Sequence, residues 1–222
     1  MSYTTVNTAG ISRAEWLAMR RTGIGGSDAA KILLTPEQYP YADPAALYLD
    51  KIGEGGDTDM QTIAARHGTW CEEFVARLWE ETTGRKVHRV NKMFRSVEHP
   101  FMIADIDRKL VGVQEGLECK TIGEFAARRY IKDPETGEGS WIDRFVEDDA
   151  EATMMNQLHW YCQMQHYMAV TGWNMWHLGV LIGNRRFLVY DIPRNQEWIE
   201  EVIKQEADFW DHVVKRENIW AA

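Results

Sequence analysis

The chain has 222 residues, of which 45% are apolar and 27% are charged, and its formal net charge is −9. This composition is typical of a folded protein large enough to bury a substantial core. The negative charge argues against a protein that coats nucleic acid by bulk electrostatics. No run of about 18 apolar residues predicts a membrane span, and the N-terminal segment lacks the basic and apolar regions of a secretory signal. The widely spaced Cys71, Cys119 and Cys162 favour a reducing cytoplasm over a disulfide framework.

The first 84 residues are predicted to be mainly helical. Ser12 and Glu15 form a capping-box pattern for a helix that ends near Arg21. Asp or Ser side chains that can cap a helix, and glycines that can end one, mark three further helices. Their predicted bounds are 27–34, 43–53 and 60–83.

The remaining residues predict strands followed by helices and a hairpin. Strands are predicted over 86–90, 93–97, 101–107 and 116–120, a helix over 124–131, a polar loop over 133–140 and a long helix over 149–171. Two more strands, 175–182 and 186–192, are joined by Gly183-Asn184, and a last helix covers 196–217. This order predicts an α/β (α+β) fold with a central mixed sheet flanked by helices. We expect one domain over 1–222, helical to about residue 84.

The stretch from Asp107 to Lys120 contains the residues best suited to chemistry. Glu118 and Lys120 are two apart in a predicted strand, so their side chains leave the same face, and Cys119 points to the core. A hairpin could bring Asp107 beside Glu118. Two adjacent carboxylates favour a hard cation such as Mg²⁺, and a lysine beside such an ion can orient a water for phosphodiester hydrolysis. The same short pattern also occurs on solvated charged strands.

Four segments, in this order, resemble the YqaJ-type viral recombinases, the family that includes phage lambda exonuclease. They are WxxxR with IGGSD at 16–28, GxxxE at 68–72, ADIDR at 104–108 followed by LECKT at 117–121, and QxxxY with MAVTG at 163–172. The resemblance extends from Trp16 to about Ile192. It implies a restriction-endonuclease-like core and a Mg²⁺-dependent 5′-to-3′ exonuclease, with Mn²⁺ as a substitute. Such an enzyme degrades one strand of linear duplex DNA and leaves 3′ single-stranded tails for recombination.

The resemblance also implies which residues form the catalytic centre. Asp107, Glu118 and the backbone carbonyl of Cys119 would bind the metal ion, and Lys120 would serve the attacking water. Glu72 would complete the acidic site, through water or a second ion.

A separate set of residues is implied to bind the DNA end. Arg20 and Ser27 would hold the 5′-phosphate, since a guanidinium can grip a phosphate through two hydrogen bonds. Family members often carry Ser-Pro or Asn-Leu before the metal aspartate, whereas this chain has Asp105-Ile106. A serine contact to the 5′-phosphate is therefore absent, and Asp105 adds negative charge near the pocket.

The fourth motif allows two readings. Gln163 and Tyr167, one helical turn apart, would brace the site or contact the DNA. Gln157 and Tyr161 have the same spacing one register earlier, and core packing is an alternative for either pair. The MAVTG run that follows favours Gln163 and Tyr167.

The implied partners are double-stranded DNA ends, a single-strand annealing protein and further copies in a ring-shaped homotrimer. The implied location is the cytoplasm of a bacterial host, with the gene in a phage or prophage. Two alternative functions remain: a structure-specific endonuclease with the same core, or a non-catalytic DNA-end-binding protein. Four further basic residues could line a DNA channel or form a solvated face: Lys51, Arg128, Arg129 and Lys132.

Overall fold

The computed structural model describes residues 3–55, 62–124 and 158–220. Within these ranges the chain forms eight strands and six helices. In chain order they are β1 (Tyr3–Asn7), α1 (Arg13–Arg21), α2 (Gly26–Leu33), α3 (Pro44–Ile52), α4 (Ile63–Thr83), β2 (Val87–Arg89), β3 (Lys92–Ser96), β4 (Ile103–Asp105), β5 (Arg108–Leu110), β6 (Glu115–Ile122), α5 (Leu158–Thr171), β7 (Met175–Ile182), β8 (Arg186–Pro193) and α6 (Gln196–Lys215).

The ends of the N-terminal helices are set by local capping contacts. The Ser12 hydroxyl accepts the Glu15 N–H at 3.2 Å, and the Glu15 carboxylate accepts the Ser12 N–H at 2.7 Å. The Asp43 side chain caps α3, and Gly53 and Gly84 end α3 and α4 in the left-handed conformation, with φ of 78° and 70°. The helices predicted in this part of the chain are confirmed to within a few residues because capping depends on near neighbours.

Two parts of the strand prediction were wrong. Residues 3–7, for which no strand was predicted, form β1, because β3 supplies an antiparallel partner about ninety residues away. The predicted strand over 101–107 forms only the shorter β4, and β5, which was not predicted, follows it in the other sheet. Asp107 therefore lies in the connection where the chain passes from one sheet to the other. Residues 125–131 of the predicted helix 124–131, the loop 133–140 and residues 149–157 of the predicted helix 149–171 lie outside the described ranges.

The larger sheet has five strands in the order β2-β5-β6-β7-β8. Strands β6 and β7 are parallel and the other neighbours are antiparallel, which confirms the predicted mixed sheet flanked by helices. Helix α4 packs on one face, where Leu117 and Cys119 of β6 meet Val75 and Trp79. Alternate β6 residues, including Glu118 and Lys120, face α5 on the other side. The smaller sheet has the order β1-β3-β4.

Helix α5 is buried from Cys162 to Thr171 although it carries several polar side chains. Each of these needs a hydrogen-bonding partner. Gln165 donates to the Pro193 carbonyl at 2.9 Å, and His166 contacts Glu206 at 2.8 Å. No helix in the described ranges is both long and apolar enough to cross a membrane.

Candidate active site

Asp107, Glu118 and Lys120 converge at the junction between the two sheets. The β5–β6 hairpin places Asp107 against β6, where its Oδ2 accepts the Cys119 N–H at 2.9 Å. Lys120 Nζ lies 2.7 Å from Glu118 Oε1. The two carboxylates and the ammonium group therefore share one site, with Cys119 in the core behind them.

Helix α5 places Gln163 and Tyr167 against this group. Gln163 Oε1 accepts a hydrogen bond from Lys120 Nζ at 2.9 Å, while its Nε2 donates to Glu118 Oε1 and to Tyr167 Oη, both at 2.7 Å. The Tyr167 hydroxyl donates to the Asp105 backbone carbonyl at 3.1 Å. Helix α2 approaches closely here: a Cβ on Gly26 would lie 2.5 Å from the Tyr167 ring.

Of the alternative pair, Gln157 and Tyr161, the tyrosine is not seen at these carboxylates. The Tyr161 ring packs edge-on against Trp198, with ring centroids 5.3 Å apart. Gln157 lies outside the described ranges. The structure therefore brings Gln163 and Tyr167, and not Tyr161, to the carboxylates.

Glu72 on α4 faces the same site from the other side. Its Oε2 accepts a hydrogen bond from Arg89 at 3.2 Å and lies 3.9 Å from Arg108. Burial and the Asp107 carboxylate raise the pKa of Glu72 to about 7. Neither arginine was predicted from the sequence to be a site residue. Arg108 adjoins Asp107 in sequence, which was an available signal, but Arg89 reaches the site only because β2 pairs with β5.

Burial makes the charged forms of the site's carboxyl groups costly, even with Arg89, Arg108 and Lys120 beside them. Burial and the Asp107 carboxylate raise the pKa of Glu118 to about 8, although Lys120 opposes the shift. Burial likewise raises the pKa of Asp107 in spite of Lys120. Burial alone would lower the pKa of Lys120, but Glu118 and Asp107 outweigh it and raise that pKa. A further cation would stabilise both carboxylates in their charged form.

One buried carboxylate oxygen in the site is available to such a cation. Glu118 Oε2 is buried and has no hydrogen-bonding partner, whereas Oε1 is bonded to Lys120 and Gln163. Across the described ranges, no three or more Asp, Glu, His or Cys side chains form a metal-binding group. Mg²⁺ does not need one, because it usually binds one or two carboxylates and keeps several waters. The donor chemistry of Asp107 and Glu118 therefore fits a hard divalent ion, and the Cys119 backbone carbonyl as a third ligand stays a prediction.

Arg20 and Ser27, the predicted phosphate ligands, are in contact with each other. Arg20 Nη2 donates to Ser27 Oγ at 2.9 Å, and the guanidinium lies 5.1 Å from the centroid of the Trp16 ring. The indole N–H of Trp16 donates to Asp105 at 2.7 Å. Asp105 is thus tied to the Arg20 pocket through Trp16, and its backbone carbonyl joins that pocket to Tyr167.

Asp28 anchors Arg20 and was not identified from the sequence as a site residue. Its carboxylate lies 3.1 Å from Arg20 Nη2 and 2.7 Å from Lys51 Nζ. Burial alone would raise the pKa of Asp28, but Arg20 and Lys51 outweigh it and hold that pKa well below its usual range. The Lys51 side chain is 1% exposed, so neither a DNA channel nor a solvated face describes it. Arg128, Arg129 and Lys132 lie outside the described ranges.

The sequence matches the YqaJ-like viral recombinase domain over residues 15–174. The chain belongs to this family. It is also 34% identical over 206 residues to the uncharacterized protein YqaJ of Bacillus subtilis (strain 168). The aligned region covers 92% of this chain but only 57% of that relative. The family predicted from the four motifs is confirmed.

Solved structures of exonucleases share the fold. An alkaline exonuclease of Laribacter hongkongensis superposes with a TM-score of 0.63 at 18% identity, covering 92% of this chain and 94% of that one. The same enzyme in complex with dAMP gives a TM-score of 0.65, also at 18% identity and with the same coverage. A phage-related exonuclease of Haemophilus somnus 129PT gives 0.62 at 14% identity, covering 90% of this YqaJ-family chain and 99% of that one. The predicted nuclease-type fold is confirmed.

Proposed function

We propose that this YqaJ-family chain is a metal-dependent deoxyribonuclease that digests one strand of linear duplex DNA from its 5′ end and leaves 3′ single-stranded tails. The observation that carries the proposal is the unpartnered, buried Oε2 of Glu118, in a site shared with Asp107 and Lys120. Membership of a viral recombinase family and a fold shared with exonucleases support it.

Each residue of the candidate active site has a distinct proposed role in cleavage. Asp107, Glu118 and the Cys119 carbonyl would hold Mg²⁺, or Mn²⁺ in its place. When bound, the ion would lower the pKa of a water and neutralise negative charge on the phosphate. Lys120, held as an ammonium by its two neighbouring carboxylates, orients the attacking water and offsets phosphate charge. Glu72 completes the acidic side of the site.

Arg20 and Ser27 would hold the 5′-phosphate of the DNA end. Asp28 and the Trp16 ring fix the Arg20 side chain before DNA arrives, so little conformational entropy is lost on binding. The hydrogen bond from Tyr167 to the Asp105 carbonyl couples this pocket to the Gln163 brace. The dAMP complex of the Laribacter hongkongensis exonuclease supports a deoxynucleoside monophosphate as the product.

We also propose the partners, the oligomeric state and the cellular location of the protein. The partners are linear duplex DNA ends and a single-strand annealing protein, and the active form is a ring-shaped homotrimer. The location is the cytoplasm of a bacterial host that carries the gene in a phage or prophage. Light scattering of the purified protein tests the trimer separately from the chemistry.

The decisive experiment uses linear duplex DNA with different fluorophores at its 5′ and 3′ ends, incubated with Mg²⁺, Mn²⁺ or EDTA. We expect the 5′ label to be released first, in mononucleotides, and only with a metal ion. Lys120→Ala should abolish cleavage while the circular dichroism spectrum stays that of the wild type. Lys204→Ala, at an exposed position on α6, is the matched control and should cleave normally.

Other outcomes identify the alternatives. Cleavage of covalently closed DNA would favour a structure-specific endonuclease. Tight binding to DNA ends without cleavage in either metal would favour a non-catalytic end-binding protein. A folded Lys120→Ala variant that cleaves at the wild-type rate would refute the role assigned to Lys120.

A further inference from the structure

A second cleft lies between the two sheets, beside the candidate active site. Its volume is about 480 Å³, and its walls come from β1 and β3 on one side and from β2 and β5 on the other. The turn between β2 and β3 and the buried Trp173 ring close it. We call it the intersheet cleft.

The intersheet cleft is basic in an acidic protein. His88, Arg89, Lys92 and Lys109 line it. None of its lining residues, all of which the structure describes, carries a carboxylate, although the whole chain has 34 acidic and only 25 Lys and Arg residues. A local excess of positive charge against the overall balance marks a surface that attracts an anion.

Strand register brings these polar groups together. His88 lies directly opposite Lys109 on β2 and β5, and Asn7 lies opposite Lys92 on β1 and β3. The His88 and Lys92 side chains make no hydrogen bond or ion pair with any residue in the described ranges. A bound anion would give these side chains a partner.

The intersheet cleft borders the catalytic residues. Arg89 is among the residues that line the cleft, and its side chain donates to Glu72 at 3.2 Å, so the two sites share one residue. Lys109, whose Nζ lies 5.5 Å from the Trp173 ring centroid, follows Asp107 by only two residues. A polyanion seated in the cleft would therefore leave it next to the carboxylates.

We propose that the intersheet cleft binds the backbone of single-stranded DNA, an inference that rests on the nuclease function proposed above. A cleft of about 480 Å³ has the size of a small-molecule site, which suits a few unpaired nucleotides and excludes a duplex. Lys92 and Lys109 contact phosphates without regard to sequence. Thr5, Asn7 and Asn91 offer hydrogen bonds to the same strand. The cleft holds the unpaired strand while the neighbouring carboxylates act at the duplex end.

Binding of a fluorescent oligothymidylate of about 12 nucleotides, a length typical of single-strand sites, tests the proposal by anisotropy in EDTA. The cleft variant is Lys92→Ala/Lys109→Ala. The matched control is Lys204→Ala/Lys215→Ala on α6, which removes the same charge. We expect the cleft variant to bind about tenfold more weakly and to lower the salt slope by about 1.4, or about 0.7 for each lost phosphate contact. The control should bind like the wild type.

Unchanged affinity of the cleft variant, or equal losses in both double variants, would overturn the proposal. The proposal would also be overturned if the cleft variant lost as much affinity for dAMP as for the oligonucleotide, because the cleft would then hold the product and not a strand. If the cleft variant does not fold, photo-crosslinking of a 4-thiothymidine oligonucleotide to the wild-type protein shows where the strand binds. Crosslinks to residues 3–9 or 88–94 support the cleft, and crosslinks confined to other segments refute it.

The two proposals can fail separately. Binding in EDTA needs no cleavage, so a protein that never cuts DNA can still show the difference between the cleft and control variants. Conversely, the protein could prove to be a metal-dependent exonuclease whose affinity for single strands does not depend on Lys92 and Lys109. That result would support the proposed function and refute only the proposed role of the cleft.

Discussion

Gln163 on α5 and Glu118 on β6 are joined by a 2.7 Å hydrogen bond from the amide to the carboxylate. The same amide accepts a hydrogen bond from Lys120 at 2.9 Å. One neutral side chain therefore links a candidate metal ligand, Glu118, to Lys120, the group proposed to orient the water. Its neighbour Gln165, also buried, bonds instead to the Pro193 carbonyl and the Asn195 N–H, away from the site.

This relationship predicts a loss of activity beyond any loss of stability. Gln163→Ala should lower kcat by about 10- to 100-fold, the usual effect of removing a group that orients metal ligands. Gln165→Ala is the matched control: both variants should lose about 1–3 kcal/mol of unfolding free energy through unsatisfied buried groups. Steady-state kinetics and urea unfolding of both variants check this. Equal kcat values in the two variants would show that Gln163 is only a packing residue.

Metal binding should require Glu118 even when no DNA is present. Mn²⁺ at about 100 times its Kd should stabilise the wild type by about 2.7 kcal/mol and raise its Tm by about 5–10 °C. Glu118→Gln removes the charge of the unpartnered oxygen and should abolish this rise. Glu201→Gln on the exposed face of α6 is the control and should keep it. Thermal melts with and without Mn²⁺ provide the measurement, and an identical shift in all three proteins would rule out Glu118 as a ligand.

End recognition should depend on Arg20 and not on its neighbour. Arg20→Ala should reduce the preference for 5′-phosphorylated over 5′-hydroxyl duplex ends by roughly 10- to 100-fold, the value of a charge-assisted hydrogen bond. Arg21 pairs with Asp50 at 3.3 Å instead, so Arg21→Ala should leave the preference unchanged. Initial rates on the two kinds of end give the ratio for each variant. A preference that survives in Arg20→Ala would place the phosphate elsewhere.

Acid should weaken the fold through Asp28. Its pKa is held below the ordinary unfolded value of about 3.9, so its stabilisation is complete above about pH 5 and declines as the pH falls below about 4. Asp28→Asn leaves Lys51 buried without an anion and should cost about 3–5 kcal/mol at pH 7.

Urea unfolding between pH 7 and pH 3 measures this dependence on Asp28. The difference between wild type and Asp28→Asn should shrink as the pH falls. Asp50→Asn, which breaks a more exposed ion pair, should cost less than about 1 kcal/mol. A difference between wild type and Asp28→Asn that stays constant with pH would show that the Asp28 carboxylate does not titrate as described.

The sequence predicted those features that depend on near neighbours. Capping contacts span three residues, as between Ser12 and Glu15, and strand alternation spans two, as between Glu118 and Lys120. Patterns of this length identify helix ends and the shared face of a strand. Together with the ordered motifs, they were enough to predict the mixed sheet and the family.

Only the tertiary structure decided which distant groups meet. Gln163 lies 43 residues from Lys120 along the chain, and Arg89 lies 17 residues from Glu72. Strand β1 exists because β3 pairs with it, and Lys51 is buried because Asp28 and the Arg20 carbonyl lie beside it. Such contacts follow from the packing of whole helices and sheets, which minimises buried unpaired charge and exposed apolar surface over the entire chain. Local propensity contains no information about such contacts. The sequence therefore predicted the candidate catalytic residues, but not the arginines and buried ion pairs that surround them.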